Sequence, residues 1–138
     1  MLANIDYGAI TAGASELVDY FLFVDEAPIG GVEGSSGFAA RFSSQGPRDR
    51  KGRSLRDFDL RTRLMRYPLS YMIYSEAFEA LPETARDAIY QRLWQVLSGQ
   101  ERDAHYASAL SQVDRQAIVE ILRDTKTDLP PFFQGAIR

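Results

Sequence analysis

A chain of 138 residues with 45% hydrophobic and 12% aromatic residues is long and apolar enough for one domain with a real core, which excludes an intrinsically disordered chain. It contains no cysteine, so disulfides, thiolate metal sites, iron–sulfur clusters, covalent c-type haem attachment and cysteine nucleophiles are excluded together. The formal net charge of −3 argues against a general nucleic-acid binder, yet that charge is unevenly distributed along the chain.

Residues 1–14 read as an N-terminal arm. The first helical pattern begins near Ser15, a good N-cap, and places Leu17, Val18, Phe21, Leu22 and Val24 on one face. Asp19 interrupts this patch and its length is far below that of a bilayer span, so no membrane-spanning segment is expected. No basic leader with an apolar run and a small-residue cleavage site opens the chain, which reads as cytoplasmic; an exported, periplasmic location follows instead if the domain is part of a longer chain or system. The stretch 27–53 reads as a long loop, rich in glycine and serine from Gly30 to Gly46, with Phe38 and Phe42 as apolar anchors. Connections in compact domains usually take ~4–6 residues, so a loop of this size suggests either a functional segment or an ordered surface loop pinned by its aromatics.

Ser54 and Asp57 have the spacing of a capping box, and Leu55, Phe58, Leu60 and Leu64 or Met65 follow in a partly helical pattern up to Tyr67. Pro68 then suits the first position of another helix, with Leu69, Met72, Ile73 and Phe78 on one face. Pro82 opens the clearest helix of all, carrying Ile89, Tyr90, Leu93, Trp94, Val96 and Leu97 and closed by Gly99. After a polar stretch around 100–108, Ser111 and Asp114 form a further cap, and Val113, Ala117, Ile118, Ile121 and Leu122 run to Thr125. Leu129-Pro130-Pro131-Phe132-Phe133 cannot continue a helix and is expected to fold back with its aromatic pair on the body, leaving 134–138 as a tail. The expectation is a single all-α domain of four or five helices spanning 15–133, with no strand alternation.

Few catalytic chemistries have their residues here. His105 is the one histidine, it lies in a polar linker, and it reads as exposed or capping rather than as a general base oriented by Glu101 or Asp103. There is no P-loop, no nucleophile elbow and no EF-hand spacing, and the glycines at 30, 31, 34 and 37 do not follow a strand. No metal and no cofactor are expected.

The informative segment is RDRKGRSLRDFDLRTRLMR at 48–66, which holds eight of the sixteen basic residues and a formal +5, leaving −8 for the rest of the chain. Arg61, Arg63 and Arg66 could pair with carboxylates of the same domain, since the rest of the chain is acidic and Arg forms bidentate pairs readily. The segment could instead form an anion site where the turn-rich stretch from Gly46 to Arg53 leads into a helix N-terminus. Nucleic acid is the weakest of the three readings, because no reading-helix motif accompanies the charge. Tyr67, Tyr71 and Tyr74 share one side of a helix and could stack on a flat ligand, but core packing is the commoner use of such residues.

The string GPRDRKGRSLRDFDLRTRLMRYPLSYMIYSEAFEALPETARDAIYQRLWQVLSG, with ILRDTKTDLPPFF near the end, resembles the C-terminal portion of larger bacterial proteins without an assigned activity. The resemblance covers roughly 15–133 and implies a domain that ends a longer chain or works beside a separate partner. Taken together, the chain reads as a non-catalytic interaction or assembly domain. In that reading Arg48, Arg50, Lys51, Arg53 and Arg56 meet an acidic protein surface, and Phe38 and Phe42 supply apolar contact. The alternative is an anionic-ligand or cofactor pocket, open to enzymatic use, built from Tyr71, Tyr74, Arg63 and Arg66.

Overall fold

The computed structural model describes residues 7–24, 41–42, 44–59 and 65–138. Phe38, Arg63, the glycine-rich stretch 25–40 and residues 60–64 lie outside the described residues. The described part is all-α: α1 spans Tyr7–Phe21, α2 Glu76–Glu79, α3 Glu83–Leu97, α4 Ala104–Ala109 and α5 Gln112–Thr125, with 3-10 turns at Tyr71–Tyr74 and Pro131–Gln134. Its one pairing of β type is an isolated antiparallel bridge between Phe58 and Met65. No helix among the described residues is long and apolar enough to cross a membrane.

α3 and α5 form where the apolar spacing and caps place them. Pro82 stands at the N-cap of α3, and Ile89, Tyr90, Leu93, Trp94, Val96 and Leu97 are buried along it. In α5 the Ser111 hydroxyl accepts from the Asp114 N–H, closing the expected cap, and Ala117, Ile118, Val119, Ile121 and Leu122 face inward. Val113 departs from the expectation: it lies in the first turn, off that face, and is 78% exposed. α1 and α5 both pack on α3. The tail folds back, with Phe133 fully buried 5.1 Å from Trp94 and 5.9 Å from Tyr90 between ring centroids.

Local expectations change at α1, after Pro68 and before α5. α1 starts at Tyr7, about two turns before Ser15, so much of the anticipated arm is helix. Gly8, Gly13 and Thr11 are poor helix formers and conceal this start, while Ala14, Val18 and Leu22 continue one buried stripe through it. The helix stops at Phe21, where Phe23 takes φ of 55° and Val24 N–H bonds back to the Asp19 carbonyl at 3.2 Å. The helix expected from Pro68 is instead two short pieces. Ser70 and Ser75 each turn their hydroxyls onto the backbone, Ser70 accepting from Met72 N–H and Ser75 from Phe78 N–H at 3.1 Å, so each serine caps a new turn. Ile73 and Phe78 are buried as the pattern requires, whereas Met72 is exposed.

The change before α5 lies in the polar stretch, which folds into α4 once the Asp103 carboxylate accepts from His105 N–H at 2.9 Å. α4 is there to deliver Tyr106. Its hydroxyl donates to Asp19 of α1 at 2.6 Å and accepts from Arg92 of α3 at 2.9 Å, while Arg92 also pairs with Glu101 at 2.8 Å. One aromatic side chain thereby joins α1, α3 and α4.

A Cβ placed on Gly13, in the interior of α1, would meet nothing within 4 Å. Gly13→Ala removes unfolded-chain freedom without a clash, so it should stabilise the fold by about 0.5–1 kcal/mol and raise Tm by a few degrees. Thermal unfolding followed by the fluorescence of Trp94, the one tryptophan, reads this directly.

Candidate functional site at the basic loop

The basic loop is organised by an acid. The Asp49 side chain is fully buried and accepts three hydrogen bonds: from Lys51 N–H at 3.0 Å, from Arg53 N–H at 2.8 Å and from Arg53 Nε at 2.7 Å. Asp49 N–H donates to the Arg53 carbonyl at 2.9 Å and Gly52 N–H to the Asp49 carbonyl at 2.9 Å, closing the turn. Gly52 sits at φ of 79°, the left-handed region where a side chain is strained. Arg48 straps the outside, donating to the Gly52 carbonyl at 2.7 Å and pairing with Asp57 at 3.3 Å.

Of the capping box expected at 54–57 only the carboxylate arm forms, and it does not launch a helix. Ser54 N–H donates to the Asp57 carboxylate and Arg56 N–H to the Ser54 hydroxyl, both at 3.1 Å. The chain then extends, with Arg66 N–H bonding to the Asp57 carbonyl at 2.8 Å beside the Phe58–Met65 bridge. Arg56 is held between two rings, 4.6 Å from the centroids of both Phe42 and Tyr71, which themselves meet edge to face at 5.3 Å. Phe42 also packs on Phe58 at 5.2 Å. This stack anchors the loop to the body through cation–π contact.

The opposite side of the loop rests on α5. Arg53 Nη2 reaches Glu120 at 2.7 Å while Arg53 Nε holds Asp49, so one guanidinium bridges the buried acid and the helix. Lys51 also meets Glu120, at 3.4 Å. Arg50 grips Asp124 twice, through its backbone N–H at 3.0 Å and through Nη2 at 3.0 Å. The environment tunes these charges. Burial alone would lower Arg53, but hydrogen bonds to Glu120 and Asp49 hold it above its ordinary value. Glu120 is held down to about 2, first by the Gln116 amide and then by Arg53 and Lys51. Asp124 is lowered too, chiefly by the Arg50 backbone N–H.

Between loop and helix lies an open, polar cleft of about 360 Å³, lined by Arg50, Lys51, Arg53, Glu120, Arg123, Asp124 and Gln134. Arg123 lines it while tying down the tail, donating to the carbonyls of Phe133 at 2.7 Å and Gly135 at 2.8 Å. The cations differ in freedom: the Arg53 side chain is 19% exposed, Lys51 66% and Arg50 84%. Such a site can hold carboxylates or other oxyanions by charge-assisted hydrogen bonds.

Arg48, Arg50, Lys51, Arg53 and Arg56 are thus brought to one loop, all engaged within the domain. Phe42 supports Arg56 rather than standing out as an apolar anchor. Of the anticipated second pocket, Arg63 lies outside the described residues, and Tyr71, Tyr74 and Arg66 each have contacts of their own. Tyr71 belongs to the Arg56 stack. Arg66 lies over Tyr67 at 5.4 Å. The Tyr74 hydroxyl is 2.6 Å from that of Thr125, which donates to the Ile121 carbonyl at 2.7 Å, so Tyr74 is the donor in a structural bond. Burial raises the Tyr74 hydroxyl above its ordinary value, keeping it protonated. His105 is exposed on α4. Among the described residues no group of three or more histidines and carboxylates could hold a metal ion.

Sequence reasoning missed Asp49, Glu120, Asp124 and Arg123. For the helical pair a signal existed, since residues 120 and 124 are one turn apart on the polar face of a clearly periodic helix. No family model, no curated protein and no solved structure matches the chain, so the chemistry of the site rests on its own geometry.

Asp49→Asn replaces an acceptor with an amide that faces Arg53 Nε donor to donor. Loss of about 3 kcal/mol is expected, read as a lower urea midpoint. Glu120 gives the pH dependence. Its folded value, about 2, lies below the unfolded value of roughly 4.3, so its contribution is complete above the unfolded value and is lost as pH falls toward the folded one. The stability gap between wild type and Glu120→Gln should therefore be constant from pH 7 to pH 5 and close on further acidification, as measured by urea titrations at each pH.

Proposed function

We propose that this domain is a non-catalytic docking module, a subunit or terminal domain of a larger bacterial assembly, which presents its basic loop to an acidic partner protein. The observation that carries this reading is the division of labour within the loop. Arg53 is committed to Asp49 and Glu120, while Arg50 and Lys51, on the same rigid turn, keep 84% and 66% of their side chains exposed. Exposed cations on a fixed backbone steer an acidic partner and set its orientation. The resemblance of the 46–99 segment to the ends of larger bacterial chains supports the assembly context.

A second reading, a small anionic ligand, is favoured by the cleft itself, where four cations face two carboxylates within about 360 Å³. That volume is at the lower end of small-molecule sites. The cleft's openness to solvent and its lining of charged and polar side chains favour the macromolecular partner.

Fluorescence anisotropy with a labelled poly-glutamate peptide tests the proposal. Wild type should bind with affinity that falls as salt rises, and Arg50→Glu with Lys51→Glu should weaken binding on the order of tenfold or more. Binding indifferent to both changes would overturn the docking role. Calorimetric binding of inorganic phosphate, with no response to the peptide, would establish the second reading instead.

A further inference from the structure

We infer that the basic loop selects a helical segment of its partner that carries two carboxylates one turn apart, and that Asp124 is the resident side chain with which that segment competes. This rests on the docking reading and specifies its partner. The loop already recognises such a pair within its own chain. Glu120 and Asp124 are four residues apart on α5, a rise of about 6 Å. Arg50 takes Asp124 by backbone N–H and guanidinium, and Lys51 with Arg53 takes Glu120. The cations of the turn are therefore in register with a carboxylate pair at helical spacing.

The same residues are free to offer that register outward. A guanidinium has five N–H donors and an ammonium three. Arg50 gives its Nη2 end to Asp124, and Lys51 makes one long contact of 3.4 Å, while most of both side chains faces solvent. Pairs this exposed are individually weak and exchange readily. Exchange does not dismantle the loop, because Asp49 and Arg53 hold the turn from within. With Arg123 included, the cleft has more cations than carboxylates, so additional negative charge is favoured there.

Asp124→Asn separates competition from structure. Asparagine keeps an oxygen for the Arg50 N–H, yet removes the charge that occupies the guanidinium. The experiment uses the full chain and two labelled helical peptides of identical composition, one with glutamates at i and i+4, the other with them at i and i+2 on different faces. The first peptide should bind more tightly to wild type than the second, and Asp124→Asn should tighten it about two- to fivefold, the strength of one exposed pair. Trp94 fluorescence confirms that the variant is folded, and the comparison of the two peptides on wild type needs no variant at all. Equal binding of both peptides, or no change in Asp124→Asn, overturns the helical register and the competition while leaving a general acidic docking surface intact. Failure of both peptides and of poly-glutamate overturns the docking reading itself. Displacement of the first peptide by a single-stranded oligonucleotide at matched charge overturns the inference in favour of phosphate recognition.

Discussion

A buried carboxylate is the constraint on which the loop depends. Asp49 is taken out of water and accepts from two backbone N–H groups and one guanidinium, so its desolvation is offset by bonds that specify a single turn. Arg53, aimed by this contact, joins Asp49 to Glu120 of α5 through a single guanidinium. Arrangements of this kind add less to net stability than to definition of geometry, since replacing both partners with apolar groups is often neutral whereas removing one is not. The result is a basic segment whose backbone is ordered by the acid at its centre.

How much of this was legible depends on whether the signal was local. α3 and α5 were legible because their apolar stripes run for several turns and their caps, Pro82 and Ser111, stand directly before them. The early turns of α1 were not, since Gly8 and Gly13 weaken the local preference and packing against α3 overrides it. The segment after Pro68 failed in the opposite direction. Its apolar spacing is helical, but Ser70 and Ser75 cap two separate short turns, a competition between side chain and backbone that spacing cannot rank. α4 has six residues, too few for periodicity to register.

The site was half legible for a related reason. Charge polarity is additive along the chain, so the concentration of basic residues at 48–66 was plain from composition. Pairing depends on which distant helix lies beside the segment, and 74 residues separate Arg50 from Asp124. Intramolecular pairing was expected at Arg61, Arg63 and Arg66, of which the first two lie outside the described residues; the pairs the structure shows are made by Arg48, Arg50 and Arg53. Arg56 adds a lesson of its own: among the described residues it takes no carboxylate but lies between Phe42 and Tyr71, where a planar guanidinium stacks and an ammonium would not do so as well.

α5 is fastened along its whole length by polar side chains, besides its buried stripe. Arg115 donates to the Leu97 carbonyl at 3.1 Å, Glu120 meets Arg53, and Arg123 holds the tail carbonyls. Just past its end, buried Lys126 donates to the Ile73 carbonyl at 3.1 Å and pairs with Glu79 and with Asp128. A helix fixed at so many levels presents Glu120 and Asp124 at a constant spacing, and the turn built on Asp49 presents Arg50 and Lys51 against them at an equally constant one. Binding loses less entropy when the backbone is preorganised and only side-chain ends must adjust. Under the proposed docking role a partner would leave the bonds that hold the backbone alone and would exchange only with those at the exposed ends of Arg50 and Lys51, at small cost.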